Sequence, residues 1–151
     1  MRIALGADHA GVHLKAEIRR LLDDRGIAYT DFGTDGIESV DYPDYAEKVA
    51  RAVASGEFDR GILLCGSGLG MAMAANKVPG IRAAPIVDEV SARLSREHND
   101  ANVLAVGERL TPPDVARTLV NIFLDTPFGG GRHQRRVDKI AALDCSPLKH
   151  P

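Results

Sequence analysis

Five strand-like runs, RIALGA (2–7), IAYTDFG (27–33), RGILLCG (60–66), IRAAPIV (81–87) and NVLAVG (102–107), recur along the chain with a helix-patterned segment after each. This alternation leaves few architectures open. Strands joined through helices run parallel, their crossovers are right-handed, and helices cover both faces of the sheet. The predicted fold class is α/β, a doubly wound parallel sheet of five strands. At 151 residues, 44% hydrophobic and 26% charged, the chain suffices for one core and is short for two, so 1–151 is expected to form a single domain.

The helical segments carry their own punctuation. Leu14, Ile18, Leu21, Leu22 and the stem of Arg25 share one face, and Gly26 stands where a C-cap glycine would. Pro43 opens the next helix, Tyr45, Val49, Ala52 and Val53 form its apolar stripe, and Gly56 closes it. Pro112 and Pro113 begin a helix over 111–125 that buries Leu119, Ile122 and Phe123. After Gly129, Gly130 and Gly131, the run RHQRRVDKIAALD predicts an extra C-terminal helix with no later strand to cover, a pattern suited to docking on another subunit. Residues 144–151 are expected to be a frayed tail.

A net charge of -2 creates no basic field for nucleic acid or an anionic membrane, so any anion must be captured locally. No stretch has the length of a membrane span, and MRIALGADHAG lacks the apolar core of a secretory signal, which predicts a cytoplasmic protein. Cys65 and Cys145 form neither a disulfide framework nor a metal-ligand spacing.

Ligands of open α/β sheets bind beyond the carboxyl ends of the strands. That rule nominates Asp8 and His9, Cys65 to Gly70, Asp88, and Gly107 to Arg109. CGSGLG (65–70) fails the dinucleotide signature, which needs glycine where Met71 or Met73 stands, and fails the P-loop, having Asn76-Lys77-Val78. What remains is a thiol, the Ser67 hydroxyl and unhindered backbone N–H groups: an anion hole beside a base or nucleophile. A helix N-terminus there would also favour the thiolate. The alternative is that the glycines serve close packing and Cys65 is a small core residue.

Asp8 can cap the first helix or act at the sheet edge. His9 and His13 are four apart, as helical zinc ligands would be, but no third ligand is evident and no metal is expected. His98, before the fifth strand, is either a helix C-cap or a general acid/base. Arg132, Arg135 and Arg136 oppose the macrodipole of the helix they open, unless an anion offsets them. Arg132 and Arg136, four apart with His133 alongside, suit a phosphate; the alternative is a solvated basic run.

Taken together, GADHAG (6–11), DYPDYA (41–46), CGSGLGMAMAANKVPGIRAA (65–84), SREHNDANVLAVGER (95–109) and GGGRHQRRV (129–137) closely resemble the type B ribose-5-phosphate isomerase family, which includes galactose- and allose-6-phosphate isomerases. The resemblance implies a Rossmann-like three-layer sandwich and a homodimer, in some members a dimer of dimers, with sites built at the subunit interface. It implies aldose–ketose isomerisation of a phosphosugar in the pentose phosphate pathway through an enediolate, with no cofactor. On that pattern Cys65 is the base. Ser67 and the amides of Gly66, Gly68, Leu69 and Gly70 stabilise the enediolate, and His98, with Asp8 nearby, assists ring opening. Tyr42 and Asn99 hold sugar hydroxyls, and His9, Arg132, Arg136 and Arg109 hold the phosphate. One branch of the family places a glutamate base where this chain has Met71, which cannot accept a proton. Many members have threonine at Ser67, and PIVDEVSA (85–92) is a variable stretch that bears on sugar choice. Alternatives are an isomerase of an allose, galactose or tetrose phosphate, and a phosphosugar-binding protein without catalysis.

Overall fold

In the computed structural model the described residues are 1–145, and the expected alternation runs through them. The elements are β1 (Arg2–Ala7), a 3-10 turn (His9–Gly11), α1 (Val12–Asp24), β2 (Ala28–Asp31), α2 (Tyr42–Ala54), β3 (Arg60–Cys65) and α3 (Leu69–Ala75), then β4 (Ala83–Pro85), α4 (Glu89–Glu97), β5 (Val103–Gly107), α5 (Pro113–Asp125) and α6 (Arg132–Leu143). All strand pairs are parallel, in the order β2-β1-β3-β5-β4. The result is the three-layer α/β sandwich with five parallel strands.

Side chains alternate between two cores. Ile3, Leu5, Ile62, Leu64, Leu104 and Val106 point to one face, where Leu14, Ile18 and Leu22 of α1 and Leu119 and Phe123 of α5 cover them. Ala4, Leu63, Cys65, Val103 and Ala105 point to the other, under Val49 and Val53 of α2 and Met71 and Ala72 of α3. A Cβ on Gly6 or Gly61 would stand 2.8 Å from a Val49 methyl, so α2 packs on the sheet through a gap left by missing side chains. That close approach turns the helix stripe: Ala46 and Ala50 are buried with Val49 and Val53, while the expected Tyr45 and Ala52 are only partly covered.

Arg25 stands at the C-cap of α1, its side chain 29% exposed, and its guanidinium donates to Asn121 at 2.8 Å and Asp125 at 2.5 Å, both on α5. The second and fourth strands are shorter than their apolar runs, although Phe32 N–H donates to Leu5 O at 2.8 Å and Thr34 N–H to Ala7 O at 3.0 Å, prolonging the path along β1. At the opposite edge, buried Arg96 donates to Ala101 O at 2.5 Å and pairs with Asp100 at 2.8 Å, while Arg82 donates to Asp100 O at 3.0 Å. Together they hold Asp100 at a φ of 46°, a left-handed conformation that turns the chain from α4 into β5.

α6 buries only Val137, leaving Ile140 42% and Leu143 70% exposed. Of the segment expected to fray, Asp144 caps α6 and accepts Gly80 N–H at 2.7 Å, and 146–151 lie outside the described residues. Among the described residues no helix is long and apolar enough to cross a membrane.

Candidate active site

β1 and β3 are neighbours in the sheet, but the chain leaves β1 for one side and β3 for the other, which makes the crevice between their carboxyl ends the switch point. A pocket of about 290 Å³ opens there, at the small end of the range for ligand sites. Asp8, His9, Tyr42, Cys65, Gly66, Ser67, Gly70 and Arg109 line it, joined by Ala10 and Leu110.

Cys65 ends β3 at the pocket floor, 5% exposed. Gly68, at a φ of 79° that excludes most side chains, turns its N–H back to donate to Cys65 Sγ at 3.1 Å. A donor so placed stabilises negative charge on sulfur. Leu69 N–H likewise donates to Ser67 Oγ at 3.3 Å, leaving the hydroxyl proton free to point elsewhere. Of the four backbone N–H groups expected to face a ligand, Gly68 and Leu69 are therefore engaged with the loop's own side chains, and those of Gly66 and Gly70 have no acceptor among the described residues.

Asp8 is buried and caps the 3-10 turn, accepting Ala10 N–H at 2.9 Å through one oxygen, while it also lines the pocket at the sheet edge. His9 Nδ1 accepts Val40 N–H at 3.1 Å. Arg109 lays its guanidinium over Gly66, with Nη1 3.0 Å from where a Cβ would be, and pairs with no carboxylate among the described residues. The Tyr42 ring lies against Gly70 in the same manner.

The other expected residues gather elsewhere. His98 ends α4, its N–H bonded to Leu94 O at 2.9 Å, and its ring stacks on His133 with centroids 4.2 Å apart. Gly129 N–H donates to Glu97 O at 2.9 Å, docking the start of α6 beside them and bringing Arg132 and Arg136 close. Partial burial first, then His98, Arg132 and Arg136, hold the His133 imidazole below its ordinary value. Asn99 is exposed in the same region.

This second group does not reach the first within one chain. Cys65 is level with Gly107 at the end of β5, and Gly61 with Val103 at its start, so four residue rises, about 13 Å, separate the edges. α4 runs back against the strands, which puts the residue that ends it at the amino edge. His98 is therefore not near Asp8 of its own chain. Asp88 also stays outside the pocket: it caps α4, accepting Ser91 N–H at 2.7 Å, and that backbone bond holds its carboxyl below the usual range.

His133 takes a more defined place than its position in the RHQRR run indicates, and the signal for it was adjacency to Arg132. Ala10 and Leu110 line the pocket without a sequence signal of their own. No cluster of three or more His, Cys, Asp and Glu suited to a metal ion occurs among the described residues.

The fold and the pocket define an open-sheet α/β protein that sets a thiol, a hydroxyl and an unpaired arginine around the switch point of a parallel sheet. A family model described as Ribose/Galactose Isomerase matches residues 3–140, and the chain belongs to that family. Ribose-5-phosphate isomerase B of Escherichia coli is 50% identical over 143 residues, 95% of this chain and 96% of that protein. D-erythrulose-4-phosphate isomerase of Pectobacterium atrosepticum is 43% identical over 141 residues, 93% of each. The solved structure of Clostridium thermocellum ribose-5-phosphate isomerase B superposes with a TM-score of 0.94 at 56% identity, covering 96% of this chain and 98% of that one.

Proposed function

We propose that this chain interconverts ribose 5-phosphate and ribulose 5-phosphate as an aldose–ketose isomerase. The observation that carries the reading is Cys65 Sγ at the pocket floor, accepting Gly68 N–H at 3.1 Å, beside the Gly66 and Gly70 N–H groups, which have no acceptor among the described residues. A hydrogen alpha to a carbonyl is weakly acidic, so its removal needs a placed base and fixed dipoles where the charge moves. The Cys65 thiolate takes the proton from C2, the C–H pair becomes the C1–C2 double bond, and the carbonyl electrons settle on O1. Gly66 N–H, Gly70 N–H and the Ser67 hydroxyl stabilise that oxyanion. The thiol then returns its proton to C1 while the hydroxyl proton passes from O2 to O1, which yields the ketose. Asp8 and Tyr42 hold sugar hydroxyls, and His9 and Arg109 meet the phosphate.

His98, Asn99, Arg132 and Arg136 enter this scheme from a second copy of the chain. Three features support a homodimer: the two half-sites lie on opposite edges of one chain, Ile140 and Leu143 stand uncovered on α6, and a groove of about 470 Å³ runs between α6 and the edge strand β4 beside Asn99. In the assembled site His98 assists opening of the furanose ring, and Arg132 and Arg136 close on the phosphate. A free thiol as base suits the reducing cytoplasm, where the pentose phosphate pathway runs. The identity to a D-erythrulose-4-phosphate isomerase favours tetrose phosphates as the second substrate class to assay, ahead of allose and galactose phosphates.

The test is proton NMR of ribose 5-phosphate in D2O with wild type and Cys65→Ala. Wild type is expected to form ribulose 5-phosphate with deuterium entering C1, and the variant to leave the aldose intact. Turnover by the variant removes Cys65 from the mechanism, and an inert wild type turns the reading to the other phosphosugars or to binding alone.

A further inference from the structure

Lys15 has no part in the steps above, yet it is among the most buried charges of the described chain, 2% exposed. From the first turn of α1 it reaches the segment that follows β2, donating to Thr34 O at 2.6 Å and Asp35 Oδ1 at 2.8 Å and pairing with Asp31 Oδ2 at 2.9 Å. Three acceptors match the three N–H donors of one ammonium. A buried ammonium is costly unless it is fully paired, so this position commits the side chain to holding that segment in place. Asp35, pulled below the ordinary carboxyl range mainly by its hydrogen bond from Lys15, responds accordingly.

The pinned segment comes down a second time six residues later, where Val40 N–H meets His9 Nδ1 at 3.1 Å. Besides the β1 backbone, which holds its first residues through Phe32 and Thr34 N–H, its side-chain anchors His9 and Lys15 stand on one continuous unit, the 3-10 turn running into α1, so their separation is fixed. A backbone N–H donates only to an unprotonated ring nitrogen. With Nδ1 accepting, the proton of the neutral imidazole sits on Nε2, which leaves Nε2–H as the donor His9 can offer a ligand. Without the bond from Val40 the ring is free to exchange tautomers, and the Nδ1–H tautomer presents an acceptor, Nε2, to an anion.

We propose that Lys15 is a positioning residue for His9: by pinning the segment between β2 and α2 it holds Val40 N–H on Nδ1 and keeps the ring as an Nε2–H donor aimed at the phosphate. The phosphate in this statement rests on the isomerase reading; the tautomer does not. His9 then meets the phosphate through Nε2–H, beside the arginines that face the same group.

The test uses histidine ring nitrogen NMR together with steady-state kinetics on wild type, Lys15→Met and Asp35→Asn. In wild type, His9 is expected to show an unprotonated Nδ1 and a protonated Nε2. Lys15→Met is expected to move the ring toward a mixture of tautomers, raising KM for ribose 5-phosphate and the inhibition constant of inorganic phosphate by about tenfold, with kcat within about twofold. Asp35→Asn alters a carboxylate that is 84% exposed and keeps the Lys15–Asp31 pair, so it folds and shifts the same readouts less, in the same direction. A wild-type His9 protonated on Nδ1 overturns the proposal, as does a folded Lys15→Met with an unchanged ring spectrum and KM. If Lys15→Met does not fold, Asp35→Asn decides, and unchanged spectra and KM in it overturn the proposal. If wild type neither turns over ribose 5-phosphate nor binds phosphate, the isomerase reading fails while the ring spectra still decide the role of Lys15.

Discussion

Replacing Gly70 by alanine should separate activity from stability. A Cβ at this position would stand 2.6 Å from Cε2 and Cζ of Tyr42 and 3.0 Å from its Oη. Carbon atoms in ordinary contact are about 3.5–4.0 Å apart, so the ring must withdraw by roughly 1 Å or more. Tyr42 is half-exposed at the start of α2 and has room to do so, which keeps the core intact. Gly70 is the second residue of α3 and has no left-handed φ, so alanine there meets no backbone strain and gains at most part of the roughly 0.5–1 kcal/mol that separates the two residues in a helix interior. A misplacement of about 1 Å in a substrate-positioning group costs on the order of a hundredfold in rate, or about 2.7 kcal/mol of transition-state stabilisation. Gly70→Ala is thus expected to unfold at or slightly above the wild-type temperature while kcat/KM for ribose 5-phosphate falls about a hundredfold. A cycle with Tyr42→Ala makes the cause visible: once the ring is gone, adding Gly70→Ala should cost little more. Calorimetry and a ketose-formation assay provide both readouts. Wild-type activity in Gly70→Ala, or equal losses from it with and without Tyr42, would refute the reasoning.

Three further outcomes are expected. Inactive Cys65→Ala and His98→Ala chains, unfolded together and refolded as a mixture, should recover about a quarter of wild-type activity, since half of random dimers are mixed and each mixed dimer holds one complete site of two; no recovery would mean the halves do not meet across copies. Thr111 Oγ1 is buried without a hydrogen-bond partner among the described residues, so Thr111→Val should stabilise the fold by about 1 kcal/mol in urea unfolding, and a loss of that size would contradict its orphan status. Asp35 has its folded-state value lowered by Lys15, so its contribution is present above the unfolded carboxyl value near 3.8 and is lost as pH falls through the folded one. The stability gap between wild type and Asp35→Asn should accordingly close in acid; a gap as wide at pH 3 as at pH 7, by denaturant titration at about those two values, would remove the pairing as its source.

Much of the fold was legible because its signals are local. Gly26 and Gly56 hold φ values of 63° and 78° just past α1 and α2, as their positions after the apolar stripes predict, and Pro43 lies in the first turn of α2. The pocket floor was legible for the same reason: Asp8 and Cys65 directly follow or end apolar runs, and a strand's end is a property of the run itself. The partners of Arg25 on α5, Asn121 and Asp125, were not legible, because the periodicity of α1 does not say which helix packs beside its last turn.

By itself, the sequence determined the α/β alternation, the residues that stand at strand ends and the chemistry available there, since burial period, capping and glycine turns are read within a few residues. Tertiary structure alone decided the order β2-β1-β3-β5-β4, the placement of the Cys65 and His98 groups on opposite edges, and the contact of Val40 with His9 across 31 positions. Those follow from which strands pair and how the connecting helices run back between them. No local period records that choice, because it is made by contacts between segments far apart in the chain.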